Sequence, residues 1–164
     1  MSPIRTYIDS NVLVYAFQGE DDILERAMSV LDDPNREFAS SYFVSLEILP
    51  HAIYAARKKE SQFYNEFFKR VKYWAAIPNN GNFPKPLQGF VERLIVPFYY
   101  GKLLSQAENL ALQYGINGID ALHVAAALMV EADELVTGEK PTKPMFRVNN
   151  SKLKIVSILP PQIQ

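Results

Sequence analysis

Four acids are each set in apolar sequence, where a carboxylate is out of place. They are Asp9 in Ile8-Asp9-Ser10-Asn11-Val12-Leu13, Glu47 in Ser45-Leu46-Glu47-Ile48-Leu49, Asp120 in Gly118-Ile119-Asp120-Ala121-Leu122, and Glu139 in Leu135-Val136-Thr137-Gly138-Glu139. A carboxylate in such surroundings is costly unless a charge or hydrogen-bond donors meet it. Singly, each has an ordinary explanation. Glu47 is a solvated helix residue, Asp120 a first-turn acid that suits the helix dipole, and Glu139 a loop charge. Together they repeat one context. Asp9 and Glu139 each follow an expected parallel strand at its carboxyl end, and Glu47 and Asp120 each lie early in a helix on that same edge. In open α/β sheets that edge is where ligands sit.

Carboxylates held close raise one another's pKa and stay ionised together only around a cation. The chain has no cysteine and two isolated histidines, so oxygen ligands are what it offers. Such a set suits a hard ion, Mg²⁺ or Mn²⁺. The chemistry that follows is metal-assisted phosphodiester hydrolysis. An ion orients or deprotonates the attacking water, and the same ion or a second, ~3.5–4 Å away, stabilises the leaving oxygen. Ser10, Asn11 and Thr137 are candidates to hold the carboxylates or the water in place.

The elements that must position these groups follow from periodicity. A first strand is expected over Thr6 to Asp9, then a helical piece to Phe17. Asp22 with Glu25 reads as a capping box opening a helix that buries Leu24, Ala27, Met28 and Leu31. Glu37 to Ser40 reads as strand 2. The helix carrying Glu47 meets Pro50, which removes a backbone donor and bends or restarts it. A strongly amphipathic helix follows, with Phe63, Tyr64, Phe67, Phe68 and Val71 inward; that aromatic stripe reads as core. Residues 78 to 90, rich in proline and turn formers, form a loop excursion. Arg93 to Val96 is expected as strand 3. A helix over Leu103 to Tyr114 closes at Gly115, and another runs from Gly118 to about Glu131. Leu135 to Thr137 and Leu153 to Ile158 supply strands 4 and 5. Strands alternating with helices predict an α/β fold, a three-layer α/β/α sandwich around a parallel sheet of about five strands, with residues 1–164 as one domain.

The composition, 48% hydrophobic and 21% charged over 164 residues, is that of a globular domain with a real core. A net charge of −1 provides no overall basic field, so nucleic-acid contact would rest on a local patch. The absence of cysteine excludes disulfides and thiolate chemistry. No apolar run reaches the ~18 residues of a membrane span and no signal peptide is apparent, so a cytoplasmic protein is expected.

These segments, in this order, resemble the PIN-domain ribonucleases, the fold of VapC-type toxins and of RNA-processing nucleases. The resemblance reaches from residue 5 to about residue 158. It implies that Asp9, Glu47 and Asp120 are metal-site acids, and that Asn11 fills the place after the family's small hydroxyl residue. The family usually has aspartate where this chain has Glu139, with an aromatic soon after; here Pro141-Thr142-Lys143-Pro144 precedes Phe146. The resemblance further implies an RNA substrate, a toxin role with an antitoxin partner, and a homodimer. Candidate contacts to the RNA backbone are Lys140, Lys143 and Arg147 beside Glu139. Arg57-Lys58-Lys59 is a weaker candidate, read first as a solvated helix face. His51 and His123 lie on helical faces among apolar residues and read as structural. Two other readings stay open. One is a PIN-like module that binds RNA or a protein without cleaving. The other is a dehalogenase-type phosphatase with Asp9 as nucleophile, for which the second aspartate is replaced by Asn11.

Overall fold

A computed structural model describes residues 2–54, 58–75 and 96–160; the side chains of 49, 51–54, 58 and 96–99 are not included. The chain begins with β1 (Ile4–Ile8) and α1 (Ser10–Gln18), followed by α2 (Asp21–Leu31) and β2 (Arg36–Ser40). Next come α3 (Tyr42–Tyr54), α4 (Lys58–Arg70) and β3 (Val71–Trp74). After residue 95 follow α5 (Val96–Tyr114), α6 (Gly118–Met129), β4 (Glu134–Thr137), a 3₁₀ turn (Pro144–Arg147) and β5 (Lys154–Ser157).

The five strands form one sheet in the order β3-β2-β1-β4-β5, and every pairing is parallel. With the helices on it, the sheet makes the expected three-layer α/β/α sandwich. Strand β1 is central. Thr6, Tyr7 and Ile8 are all fully buried, as they must be in a parallel strand covered on both faces. Helix α6 is built from small residues: Ala121, Ala125, Ala126 and Ala127 are buried, which lets its backbone approach the sheet closely. Large side chains such as Ile8, Leu13, Leu103 and Leu135 fill the space between layers. Each contributes about 1.5–3 kcal/mol by leaving water.

At the amino ends of the strands a polar cluster ties three of them together. Thr6 donates its hydroxyl to Glu134 (2.7 Å), Arg36 donates to Thr6 (3.2 Å) and pairs with Glu134, and Asp33 holds the Arg36 Nε at 3.0 Å. This cluster lies at the opposite edge from the candidate acids.

The structure corrects several expectations. The third strand is Val71–Trp74, directly after α4, and not Arg93 to Val96. Val96 opens α5 instead, with Pro97 in its first turn, where a missing N–H costs nothing; residues 93–95 lie outside the described residues. Val71 is buried as expected, but as a strand residue rather than part of the helical stripe. Helix α2 starts one residue before Asp22, with Glu20 at its N-cap and no side-chain cap, so Asp22 and Glu25 form no capping box. Within α2, Ala27 and Leu31 are buried while Leu24 and Met28 are only partly so. Helix α3 runs through Pro50 as one element. Gly115 does close α5, at φ +66 in the left-handed region that glycine adopts freely. The expected 78–90 loop lies outside the described residues.

Candidate metal centre

Asp9 sits where β1 ends and α1 begins. Its backbone caps the helix and its side chain accepts from the Ser10 N–H at 2.7 Å. The other carboxylate oxygen accepts from the Thr137 hydroxyl at 2.6 Å, at the end of neighbouring β4. The Thr137 oxygen in turn accepts from the Glu139 N–H at 3.1 Å, and Asn11 accepts from the Gly138 N–H at 2.6 Å. Ser10, Asn11 and Thr137 therefore lock the start of α1 to the turn that carries Glu139. Gly138 is required by space, since a Cβ there would lie 2.4 Å from the Tyr15 ring and 3.1 Å from the Asn11 amide carbon. Asn11 commits its carbonyl to this lock, and as an amide it is not the acid two residues after Asp9 that the phosphatase reading would need.

Glu47 projects from α3 and meets His123 of α6, with Nε2 2.7 Å from Glu47 Oε2 and 3.4 Å from Asp9 Oδ1. Ligand atoms of Asp9, Glu47 and His123 all fall within 4.8 Å of one another. Burial opposes the Glu47 charge, but the His123 hydrogen bond and charge, helped by the Ser10 hydroxyl, outweigh it and hold the carboxyl below its ordinary range. Burial likewise opposes a charged His123, yet the Asp9 charge and the Glu47 hydrogen bond, with Asp120 behind them, hold its pKa above the ordinary value.

Asp120 stands in the first turn of α6. Asn117 caps that helix, accepting from the Asp120 N–H (2.9 Å) and donating to its carboxylate (2.7 Å). Burial pushes the Asp120 carboxyl up, and the charges of Glu139 and Asp9 push it further, with His123 and Lys143 only partly offsetting them. Asp120 and Glu139 thus border the Asp9–Glu47–His123 trio without joining its tight core. Glu139 faces Lys143 at 3.6 Å. Lys140 and Arg147 are exposed nearby, and Lys59 is exposed on α4; Arg57 and the side chains of Lys58 and His51 lie outside the described residues.

The donor set fits a divalent cation. Asp9 and Glu47 meet with His123 at one part-buried point, the charges of Glu139 and Asp9 add to burial in pushing Asp120 up, and among the described residues no lysine or arginine pairs with Asp9 or Glu47. His123 is the group that sequence reasoning set aside as structural. The available signal was spacing: residues three apart on a helix share a face, so Asp120 and His123 point the same way.

The sequence matches no family model and no curated protein. Among solved structures, the chain is similar to a chain in the VapBC2 complex of Rickettsia felis bound to a DNA fragment from its promoter. The identity is 22%, the match covers 93% of this chain and 98% of that one, and the TM-score is 0.53. That likeness supports the fold. Among the described residues, no helix is long and apolar enough to cross a membrane.

Proposed function

We propose that this protein is a metal-dependent endoribonuclease of the PIN type, hydrolysing RNA phosphodiester bonds with Mg²⁺ or Mn²⁺. The observation that carries the reading is the meeting of Asp9 and Glu47 with His123 at one part-buried point at the carboxyl edge of a parallel sheet, with Asp120 and Glu139 alongside. These four acids would hold one or two ions. A bound ion of this class activates water and stabilises the leaving oxygen. The chain's own part is orientation: Ser10 and Thr137 fix both oxygens of Asp9, and Asn11 fixes the Gly138 turn before Glu139. Lys140, Lys143 and Arg147 would meet the RNA backbone. The likeness to a VapBC2 chain supports a toxin role, in which an antitoxin would cover the acidic crevice of a homodimeric toxin. The pairing of Glu139 with Lys143 favours a second reading, a PIN-like module that binds RNA or protein without cutting.

The test is cleavage of a mixed RNA pool by purified protein with Mg²⁺ or Mn²⁺. Cleavage that disappears with EDTA and in Asp9→Asn supports the nuclease. A folded protein, free of partner, that cuts nothing under any metal sinks it in favour of the binding module.

A further inference from the structure

Behind the acids runs a file of polar groups buried in the core. The Ser41 hydroxyl lies 2.7 Å from the Tyr7 hydroxyl, Tyr7 lies 3.0 Å from His123 Nδ1, and His123 Nε2 reaches Glu47 at 2.7 Å and Asp9 at 3.4 Å. Ser41, Tyr7 and His123 are no more than 2% exposed. Burying three polar side chains side by side is unfavourable unless each is satisfied, and apolar residues of similar shape would fill the same space. What apolar residues could not do is aim an imidazole. The Tyr7 hydroxyl engages Nδ1 and so fixes the ring's orientation; Nε2 is left facing the gap between Glu47 and Asp9.

An ionised Glu47 can only accept, so Nε2 donates to it. In the neutral ring Nδ1 then accepts from Tyr7, whose oxygen accepts from Ser41. A doubly protonated ring reverses those two bonds and leaves the file intact, so the geometry does not depend on the charge of His123.

We propose that Ser41, Tyr7 and His123 form a positioning relay that sets the separation of Glu47 from Asp9 before a cation arrives. This rests on the reading that these acids hold a divalent ion, and adds to it the residues that prearrange them. The relay joins β1, the start of α3 and α6, so it fixes the ligands of three elements against one another. Oriented partners of metal ligands commonly govern affinity in this way.

The test is Mn²⁺ binding by titration calorimetry together with the Mn²⁺ dependence of RNA cleavage, for wild type, Tyr7→Phe, His123→Leu and His123→Gln. Thermal melts confirm folding. Tyr7→Phe removes one oxygen and is expected to weaken Mn²⁺ binding by about three- to tenfold, the size of one net hydrogen bond. Its cleavage should need correspondingly more Mn²⁺ to reach half its maximal rate. His123→Leu should weaken binding by about 10- to 100-fold, and His123→Gln, which keeps a donor for Glu47, should recover part of that. If His123→Leu fails to fold, Tyr7→Phe carries the test. The relay is overturned if folded Tyr7→Phe binds Mn²⁺ like wild type, whether His123→Leu is also unchanged or loses all binding. The latter result would make His123 a metal ligand. A wild-type protein that binds no Mn²⁺ defeats the metal reading itself, a distinct outcome.

Discussion

Adding a single methyl group at Gly138 probes how tightly the turn before Glu139 is held. A Cβ built there lies 2.4 and 2.8 Å from two carbons of the Tyr15 ring and 3.1 Å from the Asn11 amide carbon. Carbon atoms prefer about 3.5–4.0 Å, so roughly 1 Å of movement is forced against the ring. Movement of the turn away from Tyr15 is resisted by Asn11 of the same helix, whose oxygen already holds the Gly138 N–H at 2.6 Å. Either α1 gives way or the turn does. Overpacking of this kind costs about 1–3 kcal/mol. For a chain of this size, that lowers the melting temperature by roughly 2–4 °C per kcal/mol. If the turn moves, Glu139 moves with it, and a misplacement near 1 Å at a reacting centre costs on the order of 100-fold in rate. The assay is thermal denaturation of Gly138→Ala beside Mn²⁺-dependent RNA cleavage. Gly101→Ala is the matched control. Gly101 is exposed within α5 with nothing within 4 Å of its Cβ, so the same change should stabilise by up to about 1 kcal/mol. Opposite signs at the two glycines are expected. A Gly138→Ala protein that melts and cleaves like wild type would refute the idea that this turn is pinned against α1.

Arg36→Met leaves Glu134 buried without its cation. It should cost about 3 kcal/mol, read as a melting temperature lower by roughly 6–12 °C, with cleavage unchanged because the cluster lies at the far edge of the sheet. The Asp120 pKa is raised in the folded protein. Its stabilising contribution is therefore present below the ordinary carboxylate range and is lost as pH rises through the raised value. At pH 7 the metal-free Asp120→Asn protein should then melt higher than wild type. The gain should be small, because solvent screens this part-exposed group, and it should vanish at acid pH. Wild type in Mn²⁺ at about 100 times its dissociation constant should gain about 2.7 kcal/mol in stability. Asp9→Asn should gain almost none, and an equal gain in both would place the ion elsewhere.

The acids were legible because each broke an apolar pattern, and the strands beside them were legible as short β-branched runs. Thr6 to Asp9 and Leu135 to Thr137 were expected within a residue or two of β1 and β4 for that reason. Strand β3 was missed because Val71-Lys72-Tyr73-Trp74 follows α4 without a break, and its valine also continues the helical stripe. Periodicity alone does not separate a helix from a strand that begins where the helix stops. The Asp22–Glu25 pair had the right spacing for a cap, but helix α2 was already under way at Asp21. His123 was hidden for a different reason. Surrounded in sequence by Leu122, Val124 and three alanines, it looks like packing. Its partners, Glu47 and Tyr7, are 76 and 116 residues away and become neighbours only in the fold.

Placing β1 at the middle of the sheet has a consequence for synthesis. One edge of β1 pairs with β2, which emerges early, but the other pairs with β4, made more than a hundred residues later. A growing chain that has reached the end of α5 holds Asp9 and Glu47 but lacks Asp120, His123, Thr137 and Glu139. Its central strand also has an open edge. The four acids can therefore come together only after the segment from Asp120 to Glu139 has left the ribosome. A chain cut short before Asp120 would hold two of the four acids on a sheet whose central strand is still unpaired along one side.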